Sequence, residues 1–501
     1  MPEMTDIRLE RTVSSSRVAP VTAEEIPSET RSHVHHVINV LEISSPEADD
    51  QDEFSGERNP LDRLLPTTES RNGGCLAAAL HLLSTGIGYQ ALLLPVAFVS
   101  LGWYWGVICL SLAFSWQLYT TWLLINLHES APPNGVRYSR YLHLSIAAFG
   151  ERLGKLLGLF PTMYLSTGTC IVYIINGGTI IELFFQSICY DNDHFNSKTL
   201  TGAEWFLIFI FLSALTAQFF PNLNSLTVVS AIGSFTAVFY CFLLWIMSLD
   251  KGRVHEQMDG NDIIIDGSGF LNVLNGLGIV ALAFRGHNLV LEIQGTIPTN
   301  MKKPSSKSMW RGVTFSYIII AMCMYPIAIV GYWAYGNKIS SKLGILTSFV
   351  SLHHKTTSKY LTGAICLTAI IHYICAFQMY SMPALDNFER IYVTKKNKPC
   401  SRWVRASIKA LFGGFTYIMS VAVPFLPSLG LFVGSMALPL TLSYPCLMWV
   451  AIRKPARFSR MWLLNVGLGF VGIMFCVLSS VGALWSLIAD GLDANFFKPK
   501  S

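Results

Sequence analysis

Charge is what this chain has least of. Asp, Glu, Lys and Arg make up only 13% of its 501 residues, against about 25% in a typical soluble domain. The shortage is concentrated in long runs. No charged residue occurs at 72–128, 156–181, 205–249, 312–337, 360–385, 410–452 or 461–489. A span of the hydrocarbon core needs roughly 20 apolar residues, so these runs exclude a soluble globular protein. Other absences exclude other classes. There is no G-x-x-x-x-G-K-[ST] loop and no cytoplasmic stretch large enough for an ATPase domain, so transport would be driven by a gradient. No G-x-S-x-G elbow, Cys/His metal cluster or repeated filter sequence is present. The expectation is a non-enzyme that needs no metal and no cofactor beyond a proton gradient. Most of the 11 cysteines sit inside apolar runs, where a thiol behaves as a small hydrophobe. With only Cys189 placed on the extracellular side, no disulfide framework is expected. The formal charge of +5 comes from basic residues beside the membrane and is not a nucleic-acid signal.

The three longest runs each hold two spans. Pro221-Asn222-Leu223-Asn224 divides one and Pro424-Phe425-Leu426-Pro427 another, and the joint in the first falls near Leu101-Gly102. With the interrupted segment 272–297 the count reaches eleven. Residues 1–71 read as a disordered cytoplasmic tail, polar, without apolar periodicity and without the h-region of a signal peptide. Kinases are candidate partners at 11–17 and Ser44-Ser45-Pro46, with a plain solvated tail as the alternative. Residues 72–490 form the transmembrane domain and 491–501 a short extracellular end. Loops on the tail's side carry more than twice the Lys and Arg of the opposite side, which places the N-terminus in the cytoplasm.

Two spans carry breaks that a membrane helix does not choose. Ser84-Thr85-Gly86-Ile87-Gly88 interrupts the first and Phe284-Arg285-Gly286-His287-Asn288 the sixth. Glycine weakens a helix by about 1 kcal/mol, and an arginine at that depth costs at least ~2.5 kcal/mol. Irregular backbone survives there only where it lines a cavity or is buried in protein. Spans one to five and six to ten have opposite orientations, and the breaks open the two halves. That is the pattern of an inverted-repeat secondary transporter, with span eleven added.

At the first break, unwinding around Thr85, Gly86 and Gly88 frees backbone N–H donors that suit a carboxylate; close helix packing through small residues is the alternative. At the second, Arg285 needs a carboxylate or water, with Glu292, Glu182 or the substrate's acid group as candidates. His287 titrates in the range of a proton relay, or else serves as a neutral imidazole satisfying unwound carbonyls. Glu292 is a proton acceptor or the arginine's partner. His81 and His372 are further intramembrane candidates, each otherwise a hydrogen-bonded tie between helices. Tyr173 and Asn176 line the cavity or pack.

The stretch 286–298 (GHNLVLEIQGTIP), followed by Met309-Trp310-Arg311-Gly312-Val313, resembles the plant amino acid/auxin permease family, in its lysine/histidine transporter-like branch. Leu94-Pro95, Cys170-Ile171-Val172-Tyr173 with Gly177-Gly178, His372 with Met382-Pro383, Tyr444-Pro445-Cys446 and Lys454-Pro455 continue the match, which covers 72–491. The resemblance implies an all-α, eleven-span protein with a LeuT-like 5+5 inverted repeat and broken helices one and six. It also implies proton-coupled amino acid import across the plasma membrane. Substrate binding is then assigned to Thr85, Gly86, Gly88, Tyr173, Phe284, Arg285 and Gly286, with Phe284 as a stacking gate. Proton coupling is assigned to His287, Glu292 or His372. Two positions depart from the family's pattern. Arg285 stands where a small or neutral residue is expected, and Thr179 where a lysine is, so a cation has moved between spans and substrate preference moves with it. Carriage of auxin or another organic anion, and a non-transporting amino acid sensor, are the competing readings.

Overall fold

The computed structural model describes residues 71–129, 136–189, 200–219, 226–253, 267–284, 286–299, 303–340, 343–425, 430–489 and 497. The contacts divide the chain at Glu53–Phe54, and all described residues belong to the second unit. The calls on the tail at 1–70, on the Pro221–Asn224 joint and on Arg285 fall outside the described residues, as does most of 491–501.

Everything regular is helical; among the described residues, strand pairing is limited to the isolated bridges Glu129–Arg137 and Ser340–Gly344. In chain order the helices are α1 (Cys75–Gly86), α2 (Tyr89–Leu127), α3 (Tyr141–Phe149), α4 (Glu151–Cys189), α5 (Gly202–Phe219) and α6 (Thr227–Lys251). They continue with α7 (Gly267–Leu282), α8 (His287–Gly295), α9 (Ser305–Tyr335), α10 (Ile345–His353) and α11 (Lys359–Lys396). The last four are α12 (Arg402–Ala422), α13 (Gly430–Leu442), α14 (Tyr444–Arg453) and α15 (Arg460–Ala489).

Nine stretches among the described residues are long and apolar enough to cross a membrane. The expected number was eleven, and two elements account for the difference. Tyr89–Leu127 is continuous in hydrogen bonding, yet Gly102 inside it has φ 73° and ψ 178°, a bend at the joint read from Leu101-Gly102. Helix α12 has 21 residues, but Arg402, Arg405 and Lys409 crowd its first half. Apolar side chains such as Phe211, Phe235, Leu411, Phe470 and Trp485 point outward and exposed. A soluble protein rarely shows so much apolar surface; here it faces hydrocarbon.

The core is built on α4 and α11, which pack along each other, with α6 on α11 and α9 on both α1 and α2. The breaks lie inside this arrangement. Helix α1 ends at Gly86, α2 begins at Tyr89, and Ile87 (φ −97°, ψ 83°) and Gly88 (φ −108°, ψ −163°) cross between them in extended backbone. At the second break the described residues Ala283, Phe284 and Gly286 are outside the helices, ahead of α8 at His287. The break therefore sits slightly earlier than the sequence placed it, and His287 and Asn288 are already helical.

Candidate functional site

Gly286 has φ 138° and ψ 0°, a conformation closed to residues with a Cβ. Its carbonyl accepts the first backbone bond of α8, from Leu289 at 2.9 Å. This turn brings the second break against the first. Thr85, Gly86, Phe284 and Gly286, with Leu82, Val290, Tyr317 and Ile320, line one small cavity of about 10 Å3. Four of the expected site residues thus meet around a single space. Room at Gly86 is tight: a Cβ there would come 2.5 Å from the Ile320 Cδ1, the far end of that side chain, which would have to move.

Carbonyls in the last turns of α1 and α7, next to the breaks, are satisfied from neighbouring helices. The Tyr380 hydroxyl donates to the Thr85 carbonyl at 2.9 Å, and the Gln117 amide donates to the Ala281 carbonyl at 2.6 Å. The Thr85 hydroxyl donates back to the His81 carbonyl at 2.9 Å. Phe284 is buried, edge-on to Phe114 with centroids 5.2 Å apart. Phe114 in turn packs on Tyr317.

Tyr173 and Gly88 lie together, and neither is among the residues that line the cavity. A Cβ on Gly88 would collide with the Gln90 Oε1 and meet the Tyr173 hydroxyl at 2.8 Å. Tyr173 also contacts the rings of Tyr89, Tyr373 and Tyr380, with centroids 5.1 to 5.9 Å away.

The three proton-coupling candidates are separate from one another. His287 is buried, its Nε2 2.9 Å from the Thr120 hydroxyl and 3.1 Å from both the Thr121 hydroxyl and the Gln117 carbonyl. It ties α8 to α2. His372 is buried with Nδ1 3.0 Å from the Gly233 carbonyl, tying α11 to α6. His81 makes a like tie, Nδ1 to the Ser230 hydroxyl at 2.7 Å. Glu292 is buried, and the charges acting on it are those of Asp386 and Arg140. Asn176 is buried on α4 and Glu182 accepts from Gln186.

Sequence reading missed the Arg140–Asp386 pair. Arg140 Nε donates to Oδ2 at 2.6 Å and Nη2 to Oδ1 at 3.3 Å, with both residues almost wholly buried. Arg140 had been counted as a loop charge, and Asp386 stands one residue past the uncharged run ending at Leu385. Gln90 was also passed over, although a glutamine in the apolar stretch right after the break is itself a signal.

A family model described as transmembrane amino acid transporter protein matches residues 71–488. The chain belongs to that family. It is 47% identical over 442 residues to lysine histidine transporter-like 8 of Arabidopsis thaliana, covering 88% of this chain and 84% of the relative. Lysine histidine transporter-like 7 of the same plant is 44% identical over 466 residues, covering 92% and 96%. Among solved structures, a Na+-coupled sialic acid symporter in a substrate-bound, outward-open state superposes with TM-score 0.53 at 13% identity. The match covers 85% of this chain and 92% of that one, and it shows the LeuT-like fold alone. A family of multi-pass membrane transporters agrees with the apolar helices, and it is not a family of enzymes.

Proposed function

We propose that the chain is a proton-coupled symporter that imports amino acids across the plasma membrane by alternating access. In this reading it has eleven spans, obtained by dividing α2 at Gly102, joining α1 to its first half and counting α12. Its N-terminus is cytoplasmic. The observation that carries the proposal is one cavity lined by Thr85 and Gly86, the last residues of α1 before the first break, and by Phe284 and Gly286 at the second. Half-helix ends present donors at such a place, and the flanking glycines let a carboxylate approach the backbone. The substrate carboxylate sits at Thr85, Gly86 and Gly88, while Phe284, Arg285 and Gly286 close the other side and Tyr173 borders Gly88. Protons are the coupling ion. Glu292 is the favoured carrier because its Oε2 lacks a hydrogen-bond partner among the described residues, whereas His287 is held by α2; His372, tied at Nδ1 but with Nε2 likewise unpartnered, is the second candidate.

The test is uptake of labelled amino acids into a transport-deficient cell at acidic and neutral external pH. Uptake that is stimulated by acid and abolished by a protonophore is expected. Absence of uptake at either pH, with the protein at the surface, would overturn the proposal in favour of an organic-anion carrier or a sensor.

A further inference from the structure

Gln90 lies in the first turn of α2 and is 3% exposed. Neither its Nε2 nor its Oε1 has a hydrogen-bond partner among the described residues. Buried polar side chains are nearly always hydrogen-bonded, and a bare primary amide carries the full desolvation penalty at both ends. The side chain curls back over the start of its own helix, because Oε1 is the atom nearest to a Cβ built on Gly88. Gly88 is the N-cap of α2, and no side-chain hydrogen bond caps the helix there. The Gln90 Oε1 and the Tyr173 hydroxyl therefore both lie beside Gly88, at the helix N-terminus. The Tyr373 hydroxyl, on the ring packed edge-on against Tyr173, also lacks a hydrogen-bond partner among the described residues. None of these side chains is charged.

We infer that Gln90 recognises the head group of an α-amino acid. A half-turn of the amide, which exchanges Oε1 for Nε2 beside Gly88, lets Nε2–H donate to the carboxylate that the helix N-terminus attracts while Oε1 accepts from the ammonium. A primary amide is uncharged and, with separate donor and acceptor atoms, serves both ends of a zwitterion at once. A carboxylate without the ammonium leaves Oε1 buried and unsatisfied, and a site built to take an N–H discriminates strongly against an analogue lacking it. The inference rests on the amino acid transport proposed above and deepens it, since it requires the zwitterion and rejects simple organic anions.

The test uses purified full-length protein and measures the ligand-induced rise in melting temperature with the best-transported amino acid. The same measurement is made with its deaminated acid, which keeps side chain and carboxylate. The wild type is expected to prefer the amino acid by roughly 10- to 100-fold. Gln90→Leu should weaken amino acid binding and erase the preference. Its unliganded melting temperature should hold or rise, because removing an unsatisfied buried amide is not destabilising. Gln90→Asn, with the same amide on a shorter stem, tests reach and should retain part of the preference. Unchanged affinity and preference in Gln90→Leu would overturn the inference while leaving amino acid transport standing. A fall in unliganded melting temperature with binding intact would overturn it too, since that marks a structural glutamine. A wild type that neither binds nor takes up amino acids would sink the transport proposal itself, and the inference with it.

Discussion

At the scale of single residues, the two breaks use glycine for different reasons. Gly86 is constrained by space, with Ile320 Cδ1 2.5 Å from where a Cβ would stand. Gly286 is constrained by backbone, at φ 138° with no atom nearer than the Thr85 hydroxyl at 3.9 Å. The two constraints separate by experiment. Gly86→Ala should cut uptake by about tenfold, and adding Ile320→Val, which removes the colliding methyl, should restore most of it. Gly286→Ala should cost about 1–3 kcal/mol in backbone strain, and Gly286→Asn should fail as well. Asparagine tolerates left-handed backbone near φ +57°, which is far from 138°. Uptake measured beside the melting temperature of each purified variant checks both. Rescue of Gly286→Ala by trimming a neighbour would show that space governs there after all.

At the scale of elements, one end of the bundle is closed by a polar cluster just beyond the spans. Glu129, past the end of α2, accepts from the Ser305 hydroxyl at 2.6 Å at the start of α9, and lies 3.6 Å from Arg137 Nε. Arg137 Nη2 donates to the Ile297 carbonyl at 2.9 Å, and the Gly73 N–H donates to the Thr296 carbonyl at 3.0 Å. The cluster therefore joins the segment before α1, the end of α2, the end of α8 and the start of α9. Burial by itself raises the Glu129 carboxyl, but His128, Ser305 and Arg137 outweigh it and hold the group down at about 2. A carboxyl depressed on folding adds stability above its unfolded value, here 4.5, and that stability fades as pH falls toward 2. Glu129→Gln should therefore lower stability by about 1–3 kcal/mol at neutral pH. The gap in melting temperature between wild type and variant should narrow as pH is lowered below about 4.5. A gap that stays constant down to acid pH would mean the carboxylate's charge is not what the cluster uses.

For the whole molecule, the apolar side chains on the outside and the buried polar ties on the inside describe a bundle turned toward lipid. Without water, each carbonyl left free next to a break must find a donor within the protein, which is the role of Tyr380 and Gln117. The proposed topology puts Lys355 outside the cell and Lys398 in the cytoplasm, with the single helix α11 between them. Both residues are exposed. In a background lacking Cys189 and Cys400, an impermeant maleimide added to intact cells should label Lys355→Cys and leave Lys398→Cys unlabelled until the cells are opened. The reverse pattern would invert the orientation. Labelling of both from outside would break the count of spans.

The sequence by itself determined the class of this protein and the places where its helices break. Uncharged runs of span length leave few structures other than membrane helices. Glycines beside polar residues in mid-run mark positions where helix is locally unfavourable, and both signals are local. The joint at Gly102 was legible for the same reason. Pairing was beyond the sequence's reach. Arg140 and Asp386 are 246 positions apart, and nothing in either neighbourhood distinguishes a buried pair from two loop charges. His287 carries the same chemistry as a relay or as a tie, and only the approach of Thr120, Thr121 and Gln117 from α2 gives it the second set of contacts. The approach of Tyr173 and Gln90 beside Gly88 was likewise fixed by packing, since long-range contacts between helices depend on which faces come together rather than on any short stretch of chain.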